Sequence, residues 1–144
     1  MSQPSSASQR LETITAHMAT TPAEKPPVTC HVLDTTIGRP ASDIKCTLLQ
    51  FPEGKLGIEA TADELATGTT NQDGRVTSWS GEKLKLQDGA VYKIRFEVEE
   101  YFKRSGQETF FPFVEITFRV RSTQEHYHVP LLLAGWSYST YRGS

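Results

Sequence analysis

Residues 91–98 have the sequence VYKIRFEV, and the pattern within this segment indicates the fold class. Tyr92, Ile94 and Phe96 alternate with charged residues such as Lys93, so apolar and polar side chains point to opposite sides of an extended chain. A period of two residues is typical of a β-strand that buries one face and exposes the other. The stretch therefore predicts a strand at the surface of a β-sheet protein.

The same alternation recurs outward from this stretch in short segments separated by turn signals. Many short strands with little helix indicate an all-β fold, and among such folds a β-sandwich. Strands are predicted at residues 28–33, 44–48, 75–79, 114–120 and 126–133, turns at 35–41 and 71–74, an irregular loop at 63–65, and one or two helical turns within 99–107.

The composition limits the size of the protein and the classes of partner. The chain has 144 residues, 37% of them apolar, with 7 Phe, 5 Tyr and 2 Trp, which is enough for the core of one domain. Its net charge of −2 lacks the positive excess that nucleic-acid binding needs, and its longest apolar run, at 131–134, is too short for a membrane span. Two cysteines form neither a disulfide scaffold nor a zinc cluster, and such usage fits a reducing intracellular compartment.

The first 27 residues differ in composition from the rest. They are rich in small polar residues and end in Pro26-Pro27, so we expect a disordered leader before a domain at 28–144. Within the leader, Leu11, Ile14 and Met18 form one apolar stripe of a short helical segment.

Three histidines lie in the expected domain. His126 and His128 are two residues apart on an extended segment, so they share one face of a sheet, and His31 lies within another strand. With a third histidine from a neighbouring strand, this spacing would suit a zinc site. It would equally suit a general base, or half-buried polar residues that bond the backbone.

Arg75 and the end of the chain are further candidates. Arg75 begins a predicted strand after Asp73-Gly74, and by itself it reads as a solvated arginine. Residues 138–144 stay aromatic and β-prone up to Ser144, which indicates either a held terminal carboxylate or a last edge strand.

Several separated motifs carry a family resemblance. In order they are residues 30–34 (CHVLD), 38–41 (GRPA), 73–76 (DGRV), 126–133 (HYHVPLLL) and the ending 138–144 (YSTYRGS). Together they resemble the transthyretin-related 5-hydroxyisourate hydrolases over essentially all of 28–144. The resemblance implies a transthyretin-like β-sandwich of two antiparallel sheets with one short helix, assembled as a homotetramer with sites in the channel between dimers.

The resemblance also implies an activity and a set of site residues. The reaction is hydrolysis of 5-hydroxyisourate to 2-oxo-4-hydroxy-4-carboxy-5-ureidoimidazoline in urate degradation, with no cofactor and no metal. The residues that match the family's catalytic set are His31, Arg75 and His128, together with Tyr141, Arg142, Gly143 and Ser144 of the ending.

These residue types suit ring-amide hydrolysis. A neutral histidine accepts a proton from water, and the Arg75 guanidinium donates to substrate oxygens and to the developing oxyanion. We expect His128 to be the base with His31 as its partner, although the two roles could be exchanged. The hydroxyl and carboxylate of Ser144, placed by Tyr141 and Arg142, could hold the water or orient an imidazole. The alternatives are a transthyretin-type carrier of a small aromatic ligand and a zinc hydrolase that uses His31, His126 and His128.

The leader carries a second resemblance. Arg10-Leu11, five residues and then His17-Met18 are similar to the N-terminal peroxisomal import signal. A peroxisomal location is therefore expected, through an import receptor that reads residues 10–18. The alternative is the cytoplasm, with the segment as a disordered tail.

Overall fold

The computed structural model describes residues 26–81 and 83–144, which form two β-sheets and one short helix. The predicted all-β sandwich is confirmed. The elements are β1 Val28–Asp34, β2 Arg39–Pro40, β3 Lys45–Gln50, β4 Asp63–Thr69, β5 Arg75–Val76, β6 Val91–Phe96, α1 Val98–Arg104, β7 Val114–Arg119, β8 Tyr127–Leu133 and β9 Tyr138–Thr140.

The strands divide into two sheets that enclose the core. In the first sheet β2 and β5 both pair with β1, which is followed by β8 and β9; the second has the order β4-β3-β6-β7. The alternation of β1 places Cys30 and Val32 inward, where they are fully buried in the same core cluster as Ile94 and Phe96 of the second sheet. Each such side chain contributes roughly 1.5–3 kcal/mol by leaving water, so these strands fix which faces remain outside.

One detail of the predicted sheets is wrong. β1 and β8 run parallel, from Val28 opposite Tyr127 to Asp34 opposite Leu133, so the first sheet is mixed rather than antiparallel. Two strands joined by a tight hairpin must be antiparallel, but these two are separated by the whole second sheet. The long connection allows the parallel direction.

Residues 63–65 are also not the irregular loop that the sequence indicated. They begin β4, an edge strand paired with β3 across an irregularity at Leu48/Leu49. Only Ala66 of β4 is buried, so no apolar alternation marks the strand. In contrast, the strand predicted at 75–79 ends at Val76.

The predicted helical turns are confirmed as α1. Its first turn carries Glu99 and Glu100 and its last turn Lys103 and Arg104, as the helix dipole favours. The buried Tyr101 donates a 2.6 Å hydrogen bond to the Asp34 carboxylate at the end of β1. Burial, and then this hydrogen bond, raise the pKa of Tyr101. The helix thereby anchors the end of the strand that carries His31.

The two cysteines are free thiols in the core. Cys30 of β1 and Cys46 of β3 are both buried, in opposite sheets. The neighbouring Cys30 thiol, with burial second, raises the pKa of Cys46. Among the described residues there is also no helix long and apolar enough to cross a bilayer.

Candidate active site

The outer face of the first sheet collects the predicted polar residues. Because alternate residues of β1 point inward, Thr29 and His31 point outward and are half-buried. The antiparallel register sets His31 opposite Arg75 of β5, and the parallel register sets Thr29 opposite His128 of β8. We call the surface formed by His31, Arg75, His128 and Gly143 the site face.

A tight turn presents Arg75 to this face. The Asn71 side-chain oxygen accepts hydrogen bonds from the backbone N–H groups of Asp73 (2.9 Å) and Arg75 (3.0 Å). Gly74 has a φ of +74°, and its carbonyl accepts a 2.7 Å bond from the Val32 N–H. A Cβ on Gly74 would collide with the Val32 carbonyl, so the turn requires glycine here. The Asn-x-Asp-Gly sequence thus docks the turn on β1 and sets Arg75 beside His31.

The environment of His31 keeps its imidazole neutral. Burial lowers the pKa below the ordinary value of 6.5, and the Arg75 guanidinium lowers it further. A hydrogen bond to the Asp73 backbone and the Asp73 carboxylate oppose this shift. The lowered pKa leaves His31 able to accept a proton at neutral pH.

His128 of β8, and His126 just before that strand, lie next to β1. The rings of His31 and His128 are 6.3 Å apart between centroids, tilted by 32°. Nδ1 of His128 lies 2.8 Å from the Thr29 hydroxyl oxygen, and Nε2 of His126 lies 2.9 Å from the same atom. His126 and His128 therefore share one face of the sheet, as their spacing predicted.

The end of the chain returns to this face. β9 pairs with β8, and the Thr140 hydroxyl donates a 2.7 Å hydrogen bond to the Pro130 carbonyl. Beyond β9 the Gly143 N–H donates a 2.9 Å bond to the His128 carbonyl, which forms an isolated bridge. Gly143 therefore lies against the His128 ring, and the exposed Ser144 follows it.

The two other candidates of the ending lie beside the site face. The Arg142 guanidinium pairs with Glu125 at 2.9 Å and stacks 4.5 Å from the Tyr127 ring centroid. It thus ties the ending to the start of β8. The half-exposed Tyr141 lines a cavity of about 350 Å³ between the ending and β7, which reaches the site face only at His128.

The structure thus gathers His31, Arg75, His128 and Gly143 on one surface. The arrangement offers two imidazoles for proton transfer and a guanidinium for anionic or carbonyl oxygens. In the part of the chain that the structure describes, no three His, Cys, Asp or Glu side chains form a group that could hold a metal ion. The zinc set of His31, His126 and His128 is therefore not assembled.

Three residues of the site were not predicted from the sequence. Thr29 contacts both histidines of β8, Asn71 shapes the turn before Arg75, and Glu125 holds Arg142. The position of Thr29, two residues before His31 on one strand, was the available signal. The other two depend on contacts that a pattern does not encode.

Comparison with known proteins places these features in context. The family model described as the HIUase/Transthyretin family matches residues 28–143. The chain is 41% identical over 124 residues to the 5-hydroxyisourate hydrolase of Mus musculus, covering 84% of this chain and 98% of the relative. It is 41% identical over 121 residues to the 5-hydroxyisourate hydrolase of Halalkalibacterium halodurans, covering 81% and 97%.

Solved structures agree with the sequence relatives. The 5-hydroxyisourate hydrolase of Klebsiella pneumoniae superposes with a TM-score of 0.64 at 32% identity, covering 81% of this chain and 98% of that one. Sea bream transthyretin in complex with thyroxine superposes with a TM-score of 0.68 at 24% identity, covering 81% and 94%. The second likeness shows the fold alone.

Proposed function

The chain belongs to the HIUase/Transthyretin family, and we propose that it hydrolyses 5-hydroxyisourate on its site face. The activity is that of a hydrolase acting on a cyclic amide, since relatives named 5-hydroxyisourate hydrolase align with more than four-fifths of the chain. The observation that carries the site is the meeting of His31, Arg75 and His128 on one polar surface.

His128 is the proposed general base and His31 its partner. One imidazole takes a proton from water, and the resulting hydroxide adds to the ring carbonyl carbon. The C–N bond of the six-membered ring then breaks, and the proton passes from the imidazole to the departing nitrogen. The new carboxylic acid loses its proton to solvent, which leaves the carboxylate of the ureidoimidazoline with its imidazoline ring intact. Two imidazoles whose ring centroids are 6.3 Å apart support this division, and the two roles could be exchanged.

Arg75 is the proposed clamp for the substrate and the oxyanion. A guanidinium presents several N–H donors in one plane, which matches a flat substrate with carbonyl oxygens. Its charge also helps to lower the pKa of His31, so one residue assists both binding and proton acceptance.

The ending supplies the remaining proposed contacts. Gly143 lies directly against His128, which supports a role for the adjacent Ser144 hydroxyl near the attacking water. Arg142, paired with Glu125, holds the ending in position. With Tyr141 it lines the neighbouring cavity that reaches His128, which supports a role for both at the edge of the substrate site. A carrier of an apolar ligand is disfavoured, because this face carries histidines and an arginine.

The decisive experiment replaces the base. His128→Asn should lower kcat by roughly 10²–10⁴-fold, because an amide cannot accept the proton. Loss of 5-hydroxyisourate absorbance measures the rate, and circular dichroism with Tm shows that the fold is retained. A near-full rate in a folded variant would contradict the assignment to His128, and His31 would then be tested in the same way.

A homotetramer is the proposed assembly. β7 and β9 are the last strands of their sheets, and unpaired strand edges invite pairing with another copy. Phe110 and Trp136 stack on each other at 6.0 Å although each is more than two-thirds exposed, which marks a second surface to be covered. Light scattering should give about four chains per particle, as closed symmetry allows. An active monomer would contradict the proposal.

A peroxisomal location is proposed from residues 10–18, with the cytoplasm as the alternative. This segment and residues 1–25 of the predicted disordered leader lie outside the described residues. At its end, the Pro27 carbonyl accepts a 2.9 Å hydrogen bond from the Tyr127 N–H. Consumption of a product of urate oxidation supports the proposal, and so does the match of Arg10, Leu11 and His17 to the import pattern. A fluorescent protein fused to residues 1–27 should form peroxisomal puncta that His17→Ala abolishes. Diffuse fluorescence would contradict it.

A further inference from the structure

The hydroxyl of Thr29 lies between two imidazoles. Its oxygen is 2.9 Å from Nε2 of His126 and 2.8 Å from Nδ1 of His128, both within ordinary hydrogen-bond distance. The parallel register sets Thr29 directly opposite His128, and His126 shares that face. This contact is therefore built by the pairing of β1 and β8.

A threonine hydroxyl has only one proton to donate. Of its two contacts, at least one must therefore be donated by an imidazole N–H. A neutral imidazole carries its proton on one nitrogen and a lone pair on the other. The shared hydroxyl consequently couples the two rings: if Thr29 donates to the facing nitrogen of one histidine, the facing nitrogen of the other histidine must carry a proton.

Proton acceptance by His128 selects one arrangement. If Thr29 donated to Nδ1 of His128, the ring's lone pair would be engaged, and protonation would break that hydrogen bond. If Nδ1–H instead donates to Thr29, the lone pair is on Nε2. The Nδ1–H bond then persists when the ring becomes charged, and it grows stronger because its donor is ionised. Only the arrangement in which Nδ1–H donates to Thr29 lets His128 gain a proton without breaking this hydrogen bond.

We propose that Thr29 is a positioning residue that holds His128 in its Nδ1–H form by accepting that proton's hydrogen bond and donating its own to Nε2 of His126. This inference rests on the proposed function, in which His128 is the base. The hydroxyl contacts no reacting atom and acts through the ring. His126 is the acceptor that directs the Thr29 proton away from His128.

The test reads the protonated nitrogen directly. Protein labelled with ¹⁵N-histidine is examined by long-range ¹H–¹⁵N correlation above the titration range, with His126→Asn and His128→Asn to assign the rings. We expect Nδ1 of His128 to carry the proton in the parent and in Thr29→Ser. Thr29→Val keeps the β-branched shape and removes the hydroxyl, so the single form should be lost.

Turnover provides the second readout. Thr29→Val should lower kcat by roughly 10–100-fold, as expected of a base that is no longer held in the productive form, with little change in KM. Thr29→Ser should restore kcat. Thr69→Val, at the exposed end of β4 in the other sheet, is the matched control and should change neither readout.

Two results would overturn the proposal. One is a parent protein in which His128 carries its proton on Nε2; the other is a Thr29→Val protein with an unchanged spectrum and kcat. The parent and Thr29→Ser spectra decide the question even if Thr29→Val fails to fold. An Nδ1–H ring in a parent that does not turn over 5-hydroxyisourate would support this inference and contradict the proposed function.

Discussion

Replacing Gly143 by alanine tests whether the ending of the chain sets the position of His128. A Cβ at residue 143 would lie 2.6 Å from Cδ2 of His128 and 3.2 Å from Cγ of Pro130. Both neighbours belong to β8, whose backbone is fixed by β1 on one side and β9 on the other. The ring or the ending must therefore move.

The size of the effect follows from that distance. Carbon atoms pack at about 3.5–4.0 Å, so the added methyl must displace its neighbour by about 1 Å. Misplacement of a reacting group by that amount costs up to about 10²-fold in rate. The loss of folding stability should be small, because the substitution can break only the hydrogen bond from the Gly143 N–H to the His128 carbonyl, which contributes about 1 kcal/mol.

The assay compares kcat/KM for 5-hydroxyisourate with Tm. Gly57→Ala is the matched control, since its Cβ would meet nothing within 4 Å and Gly57 has an ordinary φ. We expect Gly143→Ala to lower kcat/KM by roughly 10–100-fold with a small change in Tm. Gly57→Ala should change neither kcat/KM nor Tm. Equal rates in the two variants would refute the argument that the ending positions His128.

Three further predictions concern the site face. Arg75→Lys should lose most turnover with little change in Tm, because lysine keeps the charge of this exposed residue but not the planar donors; an unchanged rate would make Arg75 a surface arginine. In Arg75→Gln, an NMR titration should show a higher pKa for His31, since the guanidinium lowers this pKa. In the parent, His31 loses its ability to accept a proton only below pH 6.5, and in the variant this loss should occur at a higher pH. An unchanged titration would contradict the role of Arg75. Elemental analysis should find no stoichiometric zinc in active protein, because His126 and His128 face the Thr29 hydroxyl; activity lost to a chelator and restored by zinc would oppose this.

The parts of the fold that were predictable are those encoded within one strand. In β1, β6 and β8, buried and partly exposed residues largely alternate because each strand buries one face, and the sequence shows the same period of two residues. β4 has one buried residue, Ala66, and so carries no such signal. The parallel direction of β1 and β8 was missed, because a strand's own pattern does not state which neighbour it will meet.

The site divides in the same way. Period two placed His126 and His128 on one face, and motif resemblance added His31 and Arg75. The contact of Thr29 with both histidines depends on the register between strands far apart in sequence. The Glu125–Arg142 pair depends on the path of the ending, which local pattern does not define.

The parallel pairing of β1 with β8 also has a kinetic consequence. Thr29 and His128 are 99 residues apart, so the site forms only when a very long loop closes. Contacts of such separation slow folding into the range of about milliseconds to seconds. During synthesis the nascent chain has no site until residues 127–133 have left the ribosome, and in refolding turnover cannot begin before β8 has docked onto β1.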